Sequence, residues 1–306
     1  MWARRSRLKS APSHRGHTQD IRTVLPLLPN AIMKDTDRKI DIMGIVNITD
    51  NSYFSESRCL DSEGNPDFDR IIARTEKMVR EGATIIDVGA CSTRPGSDPV
   101  GEEEEWKRLG PVLKELRNAF PEVKISVDTY WASVVSRTFD LIGPFIVNDI
   151  SAGEDDPLML ATAGQLALPY IAMHKRGTPK TMQTLTDYPE GVVAEVARYF
   201  REFAEKADAA GIREWILDPG FGFAKTIGQN YELLAGMDKV IAEGHRTLVG
   251  ISRKSMIYRL FNTSPEVSLP ETQVLHLAAL QKGADILRVH DVLPAVHTVE
   301  MYRRLA

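Results

Sequence analysis

The residues of this chain with the widest chemical reach sit in short clusters, each at the end of a run rich in Ile and Val. Asn47-Ile-Thr49-Asp-Asn-Ser52 follows Ile42–Val46. Gly89-Ala-Cys-Ser-Thr93-Arg94-Pro95-Gly96 follows Thr84–Val88. Asp128-Thr129 follows Lys124–Val127, and Asn148-Asp149 follows Phe145–Val147. His174, Lys175 and Arg176 come after Tyr170–Met173, and Asp218-Pro-Gly-Phe-Gly-Phe223-Ala-Lys225 after Trp215–Leu217. Ser252-Arg253-Lys254-Ser255 follows Thr247–Val249, and the last run, Ile286–Val289, contains Arg288 and leads into His290-Asp291. Two kinds of chemistry are represented. Arg94, Lys225, Arg253, Lys254, Arg288 and His290 suit an anion with several oxygens, such as a diphosphate. Asp128, Asn148 and Asp218 suit a ligand that offers a fork of two N–H donors, as the edge of a 2-amino-pyrimidinone does. Taken one at a time, Asp128 and Asp218 are also ordinary helix caps or turn residues.

Something must hold these clusters together, and the spacing says what. Eight short apolar runs alternate with longer stretches of helical period: 68–81, 102–119, 131–139, 157–165, 191–210, 229–240, 270–282 and 294–305. Val193, Val196, Ala197, Phe200, Phe203, Ala204 and Ala207 show the 3.6-residue spacing well. Strands separated by helices pair in parallel, because each crossover returns the chain to the same end. Eight such units predict an α/β protein, a single closed (β/α)8 TIM barrel, whose chemistry belongs on the loops after the strands. An open doubly wound sheet is the alternative, and the first strand is not followed by the G-x-G-x-x-G turn that would favour it.

Composition narrows the classes further. With 43% apolar and 26% charged residues, the chain has the make-up of a soluble globular protein with a large core. No apolar run reaches the 18 or so residues of a membrane helix. Cys59 and Cys91 are too few for a disulfide framework, which fits a reducing, cytoplasmic setting. The first 22 residues carry six basic side chains against Asp20, a net +5, so the rest of the chain stands at −9 within a total of −4. A body that acidic is a poor partner for nucleic acid. The basic head has no apolar stretch of a secretory signal. Residues 1–38 are read as a disordered extension, with an organelle transit peptide or a nucleic-acid arm as the other readings. Residues 39–306 are read as the barrel domain.

From residue 40 to 304 the chain resembles the dihydropteroate synthases. The matching stretches are Met43-Gly-Ile-Val-Asn47-Ile-Thr49, Ile86-Asp-Val-Gly89, Ser92-Thr-Arg-Pro-Gly96, Ser126-Val-Asp-Thr129 and Asn148-Asp-Ile150. They continue with Met173-His174, Arg176-Gly-Thr-Pro-Lys-Thr-Met-Gln183, Leu217-Asp-Pro-Gly220, Gly222-Phe223, Gly250-Ile-Ser-Arg-Lys-Ser255 and Arg288-Val-His-Asp-Val292. The resemblance implies a TIM barrel that joins 6-hydroxymethyl-7,8-dihydropterin diphosphate to 4-aminobenzoate in folate synthesis, in a family targeted by sulfonamides. It implies that Asn47 reaches a Mg2+ bridging diphosphate oxygens. Asp128, Asn148, Met173, Asp218 and Lys254 would hold the pterin. Thr93, Arg94, Arg288 and His290 would hold the diphosphate. Pro95, Phe223 and Lys225 would wall the aminobenzoate ring, with Ser255 on its carboxylate at a helix start. The expected partners are these small molecules and a second copy of the chain, with no nucleic acid and no membrane.

Two departures from the family pattern fall near that site. The first loop usually reads Asn-x-Thr-Pro-Asp-Ser-Phe, and here Asp50 stands for the proline and Asn51 for the acid. Either Asp50 takes over the acid's role, or the loop works with less charge. Cys91 stands where a Glu usually precedes Ser-Thr-Arg-Pro, and is read as a small filler. A turnover-deficient pterin-binding homologue and a pterin-dependent methyltransferase remain the competing readings. A methyltransferase would need no diphosphate clamp, so Ser-Thr-Arg-Pro and Arg-Val-His together favour the synthase.

Overall fold

The fold is taken from a computed structural model that describes residues 38–49, 59–61, 63–91, 100–178, 180–241 and 244–305. The expected extension up to residue 37 lies outside these residues, as do Asp50, Asn51, Thr93, Arg94 and Pro95. Eight strands run in chain order: β1 (Asp41–Asn47), β2 (Ile85–Gly89), β3 (Lys124–Asp128), β4 (Ile146–Asp149), β5 (Tyr170–Met173), β6 (Trp215–Asp218), β7 (Arg246–Val249) and β8 (Ile286–Val289). Each pairs in parallel with the next, and β8 closes on β1, so the expected barrel forms. Nine helices surround it among the described residues: α1 (Phe68–Glu81), α2 (Glu102–Ala119), α3 (Ala132–Ile142), α4 (Met159–Gln165), α5 (Val192–Ala210), α6 (Ile227–Ala235), α7 (Ser255–Tyr258), α8 (Leu269–Gln281) and α9 (Val292–Leu305).

Local chemistry sets the boundaries. Asp67 caps α1 by accepting from the Arg70 N–H, and Gly82 ends the helix in the left-handed region at φ +109°. Thr226 and Gln229 form a reciprocal capping box at the start of α6, three residues before the helix expected from periodicity alone. The end of that expected helix is instead a 3-10 turn, Met237–Lys239. After β7 the chain makes one turn of helix, α7, before α8 begins.

The period-2 pleat of the strands sorts the core into two layers. Met43, Ile85, Ile146, Ile171, Ile216, Leu248 and Ile286 form a closed apolar plug inside the barrel. Their neighbours in sequence, such as Ile42, Ile86, Val147, Ala172, Leu217, Val249 and Leu287, point outward and pack on the helices. Each inward Ile contributes roughly 1.5–3 kcal/mol through burial. One pleat above the plug, on the same inward face, stand Asp87, Asn148, Met173, Asp218 and Arg288, with Asp128 alongside in β3. The plug blocks the barrel from below, so these polar groups meet only at its C-terminal mouth. At the opposite end, Asp41 of β1 accepts from Arg246 Nη1 of β7 at 2.7 Å and from Thr84 Oγ1 beside β2 at 2.9 Å, tying three strands together.

Candidate active site

The centre of the mouth is an ionic network around Asp87. This carboxylate is fully buried and accepts from Ser126 Oγ at 2.7 Å, from Asn148 Nδ2 at 3.1 and 3.2 Å, and from Arg288 Nε at 2.7 Å. Arg288 Nη2 also donates to Asp128 Oδ2 at 2.9 Å. One guanidinium from β8 therefore bridges carboxylates of β2 and β3, and one carboxylate gathers β2, β3, β4 and β8. Burial works against the charge of Arg288, but Asp87 and Asp128 overcome it and hold the guanidinium protonated. Burial pushes the Asp128 carboxyl up, against the pull of Arg288. Asp87 was not among the residues singled out from sequence. Its signal was its parity, two residues beyond the inward Ile85 in an otherwise apolar run.

Across the mouth, Asp218 ends β6 and accepts from the Gly220 N–H at 2.8 Å. Burial raises its pKa, and the Lys254 ammonium opposes that shift. Lys254 Nζ donates to Phe221 O at 2.6 Å and lies 5.0 Å from the centre of the Phe223 ring. Burial lowers the Lys254 pKa to about 8, with Asp218 opposing. Gly220 sits at φ +69°, where a Cβ would fall 1.9 Å from His174 O. Only glycine lets the β6 loop approach β5 this closely. Gly220→Ala is expected to destabilise the protein by more than about 1 kcal/mol, read as a lower denaturant midpoint; an unchanged midpoint would show that the loop relaxes freely.

His290 follows β8. Ser252 Oγ accepts its backbone N–H at 3.3 Å and lies 3.1 Å from Nδ1. Burial, reinforced by the Arg74 charge, pushes the His290 pKa down to about 3, so the ring is neutral. Asn47 ends β1, and its carbonyl accepts from Cys59 N at 3.1 Å. Met173 and Asn148 are buried, while Phe223 and Ser255 are half-buried. Cys91 Sγ lies 3.6 Å from Tyr130 OH, and burial raises its thiol pKa.

Two of the six groups read as anion-seeking are engaged in holding loops. Lys225 Nζ is buried and meets His174 Nδ1 at 3.0 Å, Gly220 O at 2.9 Å and Phe223 O at 3.1 Å. Burial pushes its pKa down to about 7, and burial together with the Lys225 charge keeps His174 neutral. Arg253 is bound to Asp291 and to two backbone carbonyls. Asn230 was also missed from sequence. It is buried, accepts from Gly222 N at 2.7 Å and donates to Thr226 O at 2.7 Å, so it braces the loop carrying Phe223. Ser255 opens α7, whose single turn supplies N–H groups but little of the macrodipole expected of a longer helix.

An eight-stranded parallel barrel with acids, an amide and cations from six strands converging above its plug has the make-up of a strand-end ligand site of the (β/α)8 enzymes. The chain belongs to the pterin binding enzyme family, whose model matches residues 43–290. It is 40% identical over 267 residues to a dihydropteroate synthase of Haemophilus influenzae, covering 87% of this chain and 94% of that one. Among solved structures it is similar to a Yersinia pestis dihydropteroate synthase in a sulfonamide drug complex, with a TM-score of 0.81, 34% identity, and coverage of 91% of this chain and 98% of that one. It is similar also to the Thermus thermophilus enzyme in complex with 4-aminobenzoate, with a TM-score of 0.76, 35% identity, and coverage of 89% and 96%.

Proposed function

We propose that this chain is a dihydropteroate synthase, condensing 6-hydroxymethyl-7,8-dihydropterin diphosphate with 4-aminobenzoate to give 7,8-dihydropteroate and diphosphate. The observation that carries this reading is the Asp87–Arg288–Asp128 network, with Asn148, Asp218 and Lys254 around the same mouth. The Asp218 and Asp128 carboxylates and the Asn148 amide suit the N–H edge of a pterin, and Lys254 suits its carbonyl and ring nitrogens as acceptors. Arg288 and the neutral His290 would face the diphosphate, with Thr93, Arg94 and Asn47 beside them. Phe223, Pro95 and Ser255 would receive the aminobenzoate, and Lys225 would support Phe223 from behind.

The reaction begins with cleavage of the C–O bond to the diphosphate, both bonding electrons leaving with oxygen. The electron-rich dihydropterin carries the resulting positive charge at its exocyclic methylene, near the carboxylates of Asp128 and Asp218. Arg288 offsets the charge growing on the leaving diphosphate. The aminobenzoate nitrogen then bonds to the methylene and releases a proton. No covalent intermediate with the protein is needed, because the dihydropterin itself carries the positive charge between the two steps.

A Mg2+ fits the donors present. No group of three or more His, Cys, Asp or Glu among the described residues would hold a metal alone. The Asn47 amide oxygen is the kind of single hard ligand that Mg2+ accepts when substrate oxygens and water fill its other positions. When bound, the ion would neutralise diphosphate charge. We place the protein in the cytoplasm as a homodimer. Among the described residues no helix is long and apolar enough to cross a membrane. Leu260, Phe261, Val267 and Val274 expose apolar surface on and beside α7 and α8 that a second copy would cover.

Release of diphosphate that requires both substrates tests the reading. Binding of the pterin diphosphate without release in the presence of aminobenzoate would point to a turnover-deficient homologue. The pH profile is a second test. The charged Lys254 ammonium exists below a pKa of about 8, so kcat/KM for the pterin diphosphate is expected to fall as pH rises through that value. In Lys254→Arg the fall should move to higher pH even if binding weakens. An identical alkaline limb in both proteins would assign the fall to another group.

A further inference from the structure

Arg253 stands between the two residues that face different parts of the site, Ser252 and Lys254, yet its own side chain turns away from them. Its backbone is left-handed, at φ +53°, a strained conformation for a residue with a Cβ. Its guanidinium is buried. Nε and Nη2 grip both oxygens of Asp291 at 2.7 and 3.0 Å, the paired geometry in which an Arg–carboxylate contact is strongest. Nη1 donates to Pro265 O at 2.6 Å and Glu266 O at 2.8 Å, and the backbone N–H donates to Thr272 Oγ1 at 3.3 Å. Asp291 directly follows His290, the residue that leans on Ser252 Oγ. The β7 loop and the β8 loop are thus joined twice, once through Ser252–His290 and once, one residue further along each chain, through Arg253–Asp291.

We propose that Arg253 and Asp291 are positioning residues: their ion pair locks the left-handed turn that sends Ser252 to His290 on one side, Lys254 to the pterin pocket on the other, and Ser255 to the start of α7. This inference rests on the proposed reaction, and it names the device that keeps the diphosphate, pterin and aminobenzoate subsites in one register. In this role each acts through its neighbours in the two loops. The clamp acts because the turn carries three site residues in four positions, so an error in its φ moves all three together. The anchor carbonyls at residues 265 and 266 tie the turn to the segment ahead of α8, which Thr272 extends into the helix itself.

Two variants separate the clamp from general stability. Arg253→Gly deletes the guanidinium but accepts a left-handed backbone without strain. Asp291→Asn keeps the shape and one acceptor oxygen but loses the charged pair. Each is assayed for kcat and KM with both substrates, for affinity toward inorganic diphosphate in the presence of Mg2+, and for melting temperature. The expected result is a roughly tenfold or larger fall in kcat/KM for both substrates and weaker diphosphate binding, each per folded molecule and measured well below the melting temperature, which Asp291→Asn also lowers because it leaves a buried guanidinium without its charge partner. The double variant is expected to be no worse than the poorer single one, because both break the same contact. Wild-type kinetics and diphosphate affinity in both variants would overturn the proposal. Activity that falls only in proportion to lost folded protein would overturn it as well. Diphosphate affinity reads the clamp even in a protein without turnover, so failure of the proposed reaction and failure of the clamp give different results.

Discussion

Arg288→Gln is expected to lower kcat by a factor of about 10²–10³ and to destabilise the folded protein by roughly 3–5 kcal/mol. The two effects share one cause. Arg288 neutralises Asp87 and Asp128 in the ligand-free protein, and its removal leaves two carboxylates near each other at the barrel mouth, Asp87 fully buried, without their common cation. Glutamine keeps most of the length of the side chain and can donate one or two hydrogen bonds, but it supplies no charge for the departing diphosphate. Steady-state kinetics and urea unfolding measure the two halves separately. A variant with near-normal kcat would remove Arg288 from the leaving-group role, even if its stability had collapsed. Asp87→Asn distinguishes the causes further. It should lower stability by breaking the same network while leaving the Arg288 charge in place, so its loss of kcat is expected to be smaller than that of Arg288→Gln.

Asp218→Asn and Lys254→Ala are each expected to weaken binding of the pterin diphosphate at least tenfold, about 1.4 kcal/mol apiece. Asp218 offers a buried carboxylate whose Oδ1 already accepts from Gly220 N, leaving the rest of its acceptor capacity for a ligand. An asparagine retains the Gly220 contact but turns one acceptor into a donor that meets the pterin's own N–H groups. Lys254→Ala removes the cation that faces Asp218 and opposes the burial-driven rise of its pKa. Because the two side chains influence each other, their effects should not add, and the double variant is expected to lose less than the sum of the single losses. Calorimetric titration with the pterin diphosphate settles the point. Unchanged affinity in both single variants would move the pterin elsewhere.

Much of the barrel was legible from the chain itself. The apolar run Tyr170–Met173 matches its strand end to end, because a strand buried on both faces reads as continuous hydrophobicity, and Ile286–Val289 does so with Arg288 as its one polar residue. Boundaries drifted where polar side chains, and not hydrophobic period, decide them. Thr84 looked like the first residue of β2, but its hydroxyl is held by Asp41 and its chain enters the ladder one residue later. Gln229 looked like the start of α6, but the Thr226 cap begins the helix earlier. The position of the polar residues at the ends of the described strands was legible for the same reason as the strands: once the runs are located, the next polar residue falls at the mouth.

What sequence could not decide is which charged groups pair with which. Arg253 and Lys225 have the same types as Arg288 and Lys254, and they lie in the same loops. Only the tertiary structure brings Asp291 to Arg253 across 38 positions, and His174 to Lys225 across 51. Likewise Asp87, hidden inside an apolar run, becomes the hub of the network because strand pairing sets Ser126 beside it and barrel closure brings Arg288 and Asn148 to its oxygens. Residue type and the two-residue pleat are local properties, so the chain alone determined the strands, the faces of their side chains and the kind of chemistry at their ends. Charge pairing is a long-range property that depends on distances fixed only when eight strands close, and that closure decided which ionic groups pair with one another.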